Sequence, residues 1–406
     1  MKHLPRGLWV LLIANAVIAL GYGLVAPALP LFATAFGVSS AAAGLVVSAF
    51  AAMRLLFAPT SGRLVTKLGE RKIYLTGLLI VALSTLACAF AQEYWQLLVF
   101  RAAGGIGSTM FSISAMALLI RLSPQEVRGR ASGYFSAGFL VGSLTGPLIG
   151  AALVEFGLRF PFVVYAIALL IAAAVVAVMM PAPPQAKPSD KVDDEVGLAD
   201  APRFIASLKL AEYRAILTSN FAQGWASMGV RVALVPLFVQ DGLGYGTAWA
   251  GIILACYAAG NVIAILVSGR LSDKYGRRPV MIPGLIVAIA GTIGLGYSPN
   301  IWVALGLTAI AGVGSGLFAP THQAALGDML AGKRRGGSAL AAYGMASDCG
   351  AVAGPLITGM IADVFGFGPA FVVTGVVVLI ALLAWLVSPD AARTNLATKF
   401  ADPTPR

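Results

Sequence analysis

Asp348 is the only one of 17 acidic residues that falls well inside a long apolar stretch of this 406-residue chain. Counted from about Ser338 at ~1.5 Å per helical residue, it would lie ~15 Å deep, near the middle of a ~30 Å hydrocarbon layer. A carboxyl group there costs about 2.5–3.5 kcal/mol on insertion scales and usually marks an ion or substrate path. Burial would favour its neutral form, as a proton carrier requires, so proton coupling is assigned to Asp348. A structural partner for an arginine or for helix backbone is the competing reading. Three arginines, Arg54, Arg101 and Arg231, also fall inside apolar stretches. Arg54 is deep in the second stretch, and Asn261 stands 207 residues after it, so both could face one shared cavity. Arg231 could line the cavity too, or snorkel towards the surface. Asn15 and Gln223 could donate hydrogen bonds to a substrate or act as polar glue between helices. Three interior arginines against one acid favour neutral, zwitterionic or anionic amphipathic molecules over lipophilic cations.

Other chemistry is thin. The two histidines lie near chain or helix ends, so His322 is not read as a proton relay, and Cys88, Cys256 and Cys349 form no metal-like spacing or disulfide framework. No paired acids, metal set or nucleophile with its base stands out. The chain is therefore expected not to be an enzyme and to need no metal or cofactor.

The elements that must position these residues are membrane helices. Hydrophobic residues make up 59% of the chain and charged ones 11%, against about 25% charged in soluble domains. Dividing the apolar blocks at charged and Gly/Pro-rich breaks gives twelve segments: 8–35, 41–65, 73–91, 95–121, 131–154, 160–180, 215–240, 247–272, 279–298, 301–325, 337–363 and 369–388. Open strands would leave backbone groups unpaired in lipid, and the alternation of a barrel is missing. The first segment is longer than a signal-peptide core and lacks a convincing cleavage site, so it reads as a spanning helix.

Basic residues fix the orientation. Of 28 Lys and Arg, only Arg159 lies in the odd connections, while the termini and even connections hold 24. Because such residues stay on the cytoplasmic side, both termini are expected there. The same bias accounts for the net charge of +11 without invoking nucleic acid. Trp9, Trp95 and Trp302 are plausible interfacial anchors.

The long polar interruption after Pro181 carries four prolines and the run Lys191-Val192-Asp193-Asp194-Glu195. It reads as a flexible linker whose last part, Arg203 to Arg214, could lie on the membrane as a short helix or remain solvated. The two sides of it repeat each other. Gly62-Arg63-Leu64 returns 207 residues on as Gly269-Arg270-Leu271, Gly69 as Gly276, and Gly105 and Gly107 as Gly312 and Gly314. Gly146-Pro147-Leu148-Ile149 returns as Gly354-Pro355-Leu356-Ile357, and Pro30-Leu31-Phe32 as Pro236-Leu237-Phe238. An even number of helices per repeat gives parallel repeats, with substrate expected at their interface.

These motifs resemble the major facilitator superfamily. The run Gly269-Arg270-Leu271-Ser272-Asp273-Lys274-Tyr275-Gly276-Arg277-Arg278 is similar to that family's loop signature. There Gly269 would allow close helix approach and Asp273 could stabilise a nearby helix N-terminus. The first copy, with Gly62, Thr66, Gly69, Glu70 and Arg71, departs from the pattern, because Thr66 replaces the aspartate that the resemblance assigns to a cytoplasmic gate and Glu70 replaces a basic residue. Thr66 can cap a helix but brings no charge. Leu20-Gly21 with Pro27 and Pro30, then Arg101 with Gly105 and Gly107, and the fifth-helix run Gly142-Ser143-Leu144-Thr145-Gly146-Pro147-Leu148-Ile149-Gly150 resemble the drug–proton antiporter branch. Thr34, Gly104 and Ala151 depart from its patterns. On this resemblance Arg101 joins Asp348 in proton coupling, and Gly142, Gly146, Pro147 and Gly150 permit tight packing and a bend.

The resemblance implies an all-α membrane protein with 12 transmembrane helices, two six-helix bundles related by pseudo-two-fold symmetry. The expected domains are 1–183, a linker over 184–213, and 214–406 with a short tail. The expected function is proton-coupled efflux of amphipathic small molecules by alternating access; a carrier for a particular metabolite, sugar or lipid, in either direction, is the alternative. Small-molecule substrate, protons and membrane lipids are the expected partners, the bacterial inner membrane the expected location, and a monomer the expected state.

Overall fold

The computed structural model describes residues 5–123, 128–180, 210–330 and 337–388. The linker's charged run and the C-terminal tail lie outside the described residues, as do residues 203–209 of the suggested surface helix.

All twelve expected segments are helical. The first six are α1 (Arg6–Val25) with α2 (Ala28–Thr34), then α3 (Ser40–Leu68), α4 (Glu70–Ala89), α5 (Tyr94–Leu122), α6 (Arg128–Val154) and α7 (Phe160–Met179). The seventh is composite: α8 (Ala211–Gln223), a π-helical stretch (Gly224–Val230), α9 (Arg231–Leu237) and a second π stretch (Phe238–Gly242). Then come α10 (Thr247–Tyr275), α11 (Arg277–Leu295), α12 (Ile301–Leu330), α13 (Gly337–Phe365) and α14 (Phe367–Val387). Residues 211–213, given to the linker from sequence, belong to α8.

Local chemistry sets several ends. The Ser39 hydroxyl caps α3 by accepting from the Ala42 amide, and Glu93 with Gln96 forms a capping box at α5. Gly69 and Gly276, at φ of 88° and 94°, make the sharp turns from α3 into α4 and from α10 into α11. That backbone region is costly for any residue with a Cβ. It explains these two glycines in the repeated loop.

Inside a membrane, lipid tails are as apolar as leucine, so helices associate mainly through close van der Waals packing and small residues. The two repeats use the same seams. A Cβ on Gly105 would collide with the Phe50 carbonyl, and one on Gly312 with the Tyr257 carbonyl, each 207 residues on. Gly77 meets the carbonyl of Gly107 as Gly284 meets that of Gly314. Gly23 lies against Pro147 and Gly229 against Pro355. At Gly62 and Gly269, by contrast, no described residue lies within 4 Å of where a Cβ would stand.

The described residues within Met1–Lys191, Gly229–Ala255 and Ala351–Phe367 form one compact unit. Its core includes Leu8, Leu11, Leu78, Leu97, Leu118 and Phe162. Those within Val192–Met228, Cys256–Gly350 and Gly368–Arg406 form a second, centred on Tyr213, Ile216, Met281, Leu285, Phe318 and Trp385.

Gly312→Val should lower the stability of the detergent-purified protein by about 1–3 kcal/mol, because backbone must move to admit the side chain. Gly306→Val, on the same helix with nothing within 4 Å, should cost little; thermal unfolding of the two side by side checks the contrast.

Candidate functional site

Arg101 lies in the first third of α5 and is 8% exposed. Its guanidinium stands over the Phe50 ring, 4.1 Å from the centroid, and its Nε has no hydrogen-bond partner among the described residues. A cation held on a ring face keeps donors available, since the ring attracts charge without occupying N–H groups. Arg54 on α3 reaches Ser108 of α5, with Nη1 donating to Oγ at 3.4 Å. Its own carbonyl accepts from Thr109 at 3.1 Å. Arg54 and Arg101 thus engage neighbouring turns of one α3–α5 seam.

At the two matching positions the second repeat carries Asn261 and Thr308, neither of them charged. Asn261, the counterpart of Arg54, donates its amide to the Gly312 carbonyl at 3.5 Å. Beside it runs a chain of neutral groups. Gln223 Oε1 accepts from Ser315 Oγ at 3.1 Å, Ser315 stands 3.3 Å from Ser227, and Ser227 stands 2.6 Å from the Tyr257 hydroxyl. Ser227 sits on the first π stretch, a wide turn of the kind that often marks functional positions in helices. Sequence reasoning found Gln223 and missed Ser227, Tyr257 and Ser315. The repeat was the available signal, since Tyr257 and Ser315 stand 207 residues after Phe50 and Ser108, the partners of the first-half arginines.

Asp348 is half-buried on α13. Its neighbours Ser347 and Gly350 press against the backbone of span seven, at Gly224 and at Phe221 and Trp225. The acid is therefore carried beside the entrance to the π stretch. Arg231, half-buried, opens α9 just beyond that stretch. Asn15 acts as glue: its amide donates to the Phe135 carbonyl of α6 at 3.1 Å. His322 is 2% exposed, packed between the rings of Phe318 and Tyr343.

The fifth-helix motif is a packing seam. Gly142, Gly146 and Gly150 meet α1 at Leu20, Gly23 and Leu24. Pro147 also receives α10, where a Cβ on Gly251 would collide with its carbonyl. The counterpart contact joins Gly44 of α3 to the Pro355 carbonyl of α13. Along that second line polar bonds are added. Ser48 Oγ donates to the Val352 carbonyl at 2.7 Å, and both oxygens of Asp363 accept backbone amides at the start of α3, from Ser40 at 2.8 Å and Ala41 at 2.9 Å. A carboxylate at a helix N-terminus meets both orphan amides and a favourable dipole.

Among the described residues the loop motif has these partners. Asp273 pairs with Arg277 at 2.7 Å, and Arg277 also binds Asp328 at 2.8 Å and Ser272 at 2.7 Å. The Thr66 hydroxyl donates back to the Arg63 carbonyl at 2.9 Å. Glu70 pairs with Arg121 at 2.9 Å. Arg71 and Arg278 donate to carbonyls in the last turns of α7 and α14, at Ala177 and Leu386.

Twelve described helices long and apolar enough to cross a bilayer, repeated seams, and charged side chains within the spans define a polytopic membrane protein of the transporter class. The sequence model of the Major Facilitator Superfamily matches residues 11–251 and 216–405, and the chain belongs to that family. It is 27% identical over 407 residues to Multidrug resistance protein 2 of Bacillus subtilis (strain 168), covering 96% of this chain and 98% of that protein. It is 24% identical over 306 residues to Tetracycline resistance protein, class H, of Pasteurella multocida, covering 74% and 75%. A crystal structure of a bacterial homolog to the human lysosomal transporter Spinster, inward-facing and occupied, matches with a TM-score of 0.78 at 18% identity, over 96% of this chain and 97% of that one. That of a D-xylose–proton symporter matches with a TM-score of 0.74 at 18% identity, over 94% and 98%. These likenesses show the fold, the expected pair of six-helix bundles.

Asp363→Ala should destabilise the protein by about 0.5–2 kcal/mol, the usual worth of a helix cap. Glu155, 208 residues earlier in the turn just after α6, is exposed, and Glu155→Ala should change stability by no more than a few tenths of a kcal/mol. Equal thermal shifts for the two would remove the cap from the account.

Proposed function

We infer that this chain is a secondary active exporter of amphipathic small molecules that are neutral, zwitterionic or anionic, coupled to protons and working by alternating access. The observation that carries the substrate class is the α3–α5 seam, where Arg54 and Arg101 supply two cations held by a hydroxyl and a ring face. Such groups favour electron-rich substrate atoms and repel permanent cations. Relatives named for multidrug and tetracycline resistance support the export reading. Asp348 and Arg101 are assigned to proton coupling, with the hydration of Asp348 changing as its side of the membrane opens and closes. Arg54, Arg231, Gln223 and Asn261 are assigned to substrate contact; Asn15 serves the α1–α6 seam. The domains proposed are 1–183 and, with α8 starting at Ala211, 211–406, joined by 184–210, in a monomer in the bacterial inner membrane with both termini cytoplasmic. The second reading, a carrier for a hydroxylated metabolite or sugar, is favoured by one feature, the neutral chain of Gln223, Ser315, Ser227 and Tyr257.

Proteoliposomes with an imposed pH gradient test both readings, using tetracycline as a zwitterion, ethidium as a permanent cation and D-xylose as a sugar. Gradient-driven tetracycline accumulation well above that of ethidium is the expected result. Sugar counterflow that ignores the gradient would select the second reading. Asp348→Asn should abolish accumulation against a gradient while sparing exchange, whereas normal uphill transport with unchanged pH dependence would make Asp348 structural. Arg54→Gln should weaken tetracycline transport by about tenfold, the equivalent of ~1.4 kcal/mol.

A further inference from the structure

Glu70 and Arg121 occupy the same two places in the first repeat that Arg277 and Asp328 occupy in the second, each 207 residues earlier. Both pairs are formed, at 2.9 Å and 2.8 Å, with the charges exchanged. The exchange matters because helix ends are not electrically neutral. Glu70 is in the first turn of α4 and Arg121 in the last turn of α5, so each charge opposes the partial charge of its helix end. Arg277 opens α11 and Asp328 lies in the last turn of α12, so each stands at the end that disfavours it. The second pair has further partners, and Arg277 also holds Asp273 and Ser272, both at 2.7 Å.

The Asp273–Arg277 contact shows that residues four apart meet across the glycine turn. An acid at position 66 would therefore meet Glu70, like charge against like. We propose that Glu70 and Arg121 are a positioning pair of inverted polarity that holds the α3–α4 turn without a charge at position 66, and that Thr66 is the counterpart of that inversion. The departures at positions 66, 70 and 121 are then one coupled change.

Hydrogen–deuterium exchange on the full chain in lipid nanodiscs tests this independently of any transported substrate, reading the 63–74 backbone and using 270–281 as reference within the same molecule. Glu70→Gln and Arg121→Gln should each speed exchange in 63–74 by about two- to five-fold, the range of an exposed ion pair, leaving 270–281 unchanged. Thr66→Asp alone should speed it as well. The double exchange Glu70→Arg with Arg121→Asp should remain faster than wild type, and adding Thr66→Asp to it should return exchange to the wild-type rate. If Thr66→Asp leaves the turn as protected as wild type, or the triple variant exchanges as fast as the double, the proposal is wrong. A variant that accelerates both turns together has lost its fold, and the comparison then rests on Thr66→Asp alone.

Discussion

Backbone-to-backbone contact is the constraint on which the rest depends. With no hydrophobic drive between helices in lipid, a spanning helix stays against its neighbour only where both can come close. Here glycine permits it at Gly105 on Phe50, Gly312 on Tyr257, Gly44 on Pro355 and Gly251 on Pro147. Once those seams are set, side chains beside them have fixed places. Arg101 reaches the Phe50 ring because Gly105, four residues on, brings α5 onto α3. Tyr257 meets Ser227 from the matching seam. The polar groups are passengers on a repeated framework of small residues.

On that framework the two repeats have diverged in charge more than in shape. The first carries Arg54 and Arg101 where the second carries Asn261 and Thr308. Asp348 and the hydroxyl chain belong to the second alone.

Much of the fold was legible in the sequence because its causes are local and repetitive. Apolar length gave the twelve helices, and the 207-residue spacing gave the repeats. The site was less legible. Hydropathy identified Asp348, Arg54 and Arg101 as unusual, but their partners lie on other helices, and only the packing says that Asn15 meets Phe135 or that Gln223 meets Ser315. The loop glycines show the limit well. Gly62 and Gly269 recur at the right spacing with no described residue within 4 Å of a Cβ there, whereas Gly69 and Gly276 recur with a positive φ. Spacing reports that a residue type was kept, and coordinates are needed to tell steric from conformational cause. Glu70 departs from the loop pattern in sequence, and only the packing shows Arg121 opposite it.

The first π stretch gives span seven a property the other spans lack. An α-helix transmits rotation along its length because each carbonyl is committed to one amide four residues on. From Gly224 to Val230 that commitment is shifted by one residue. The angular place of Ser227 about the helix axis relative to Gln223 is thus set by a choice of hydrogen-bond register, and a shift by a single register step would turn one against the other by about 100°.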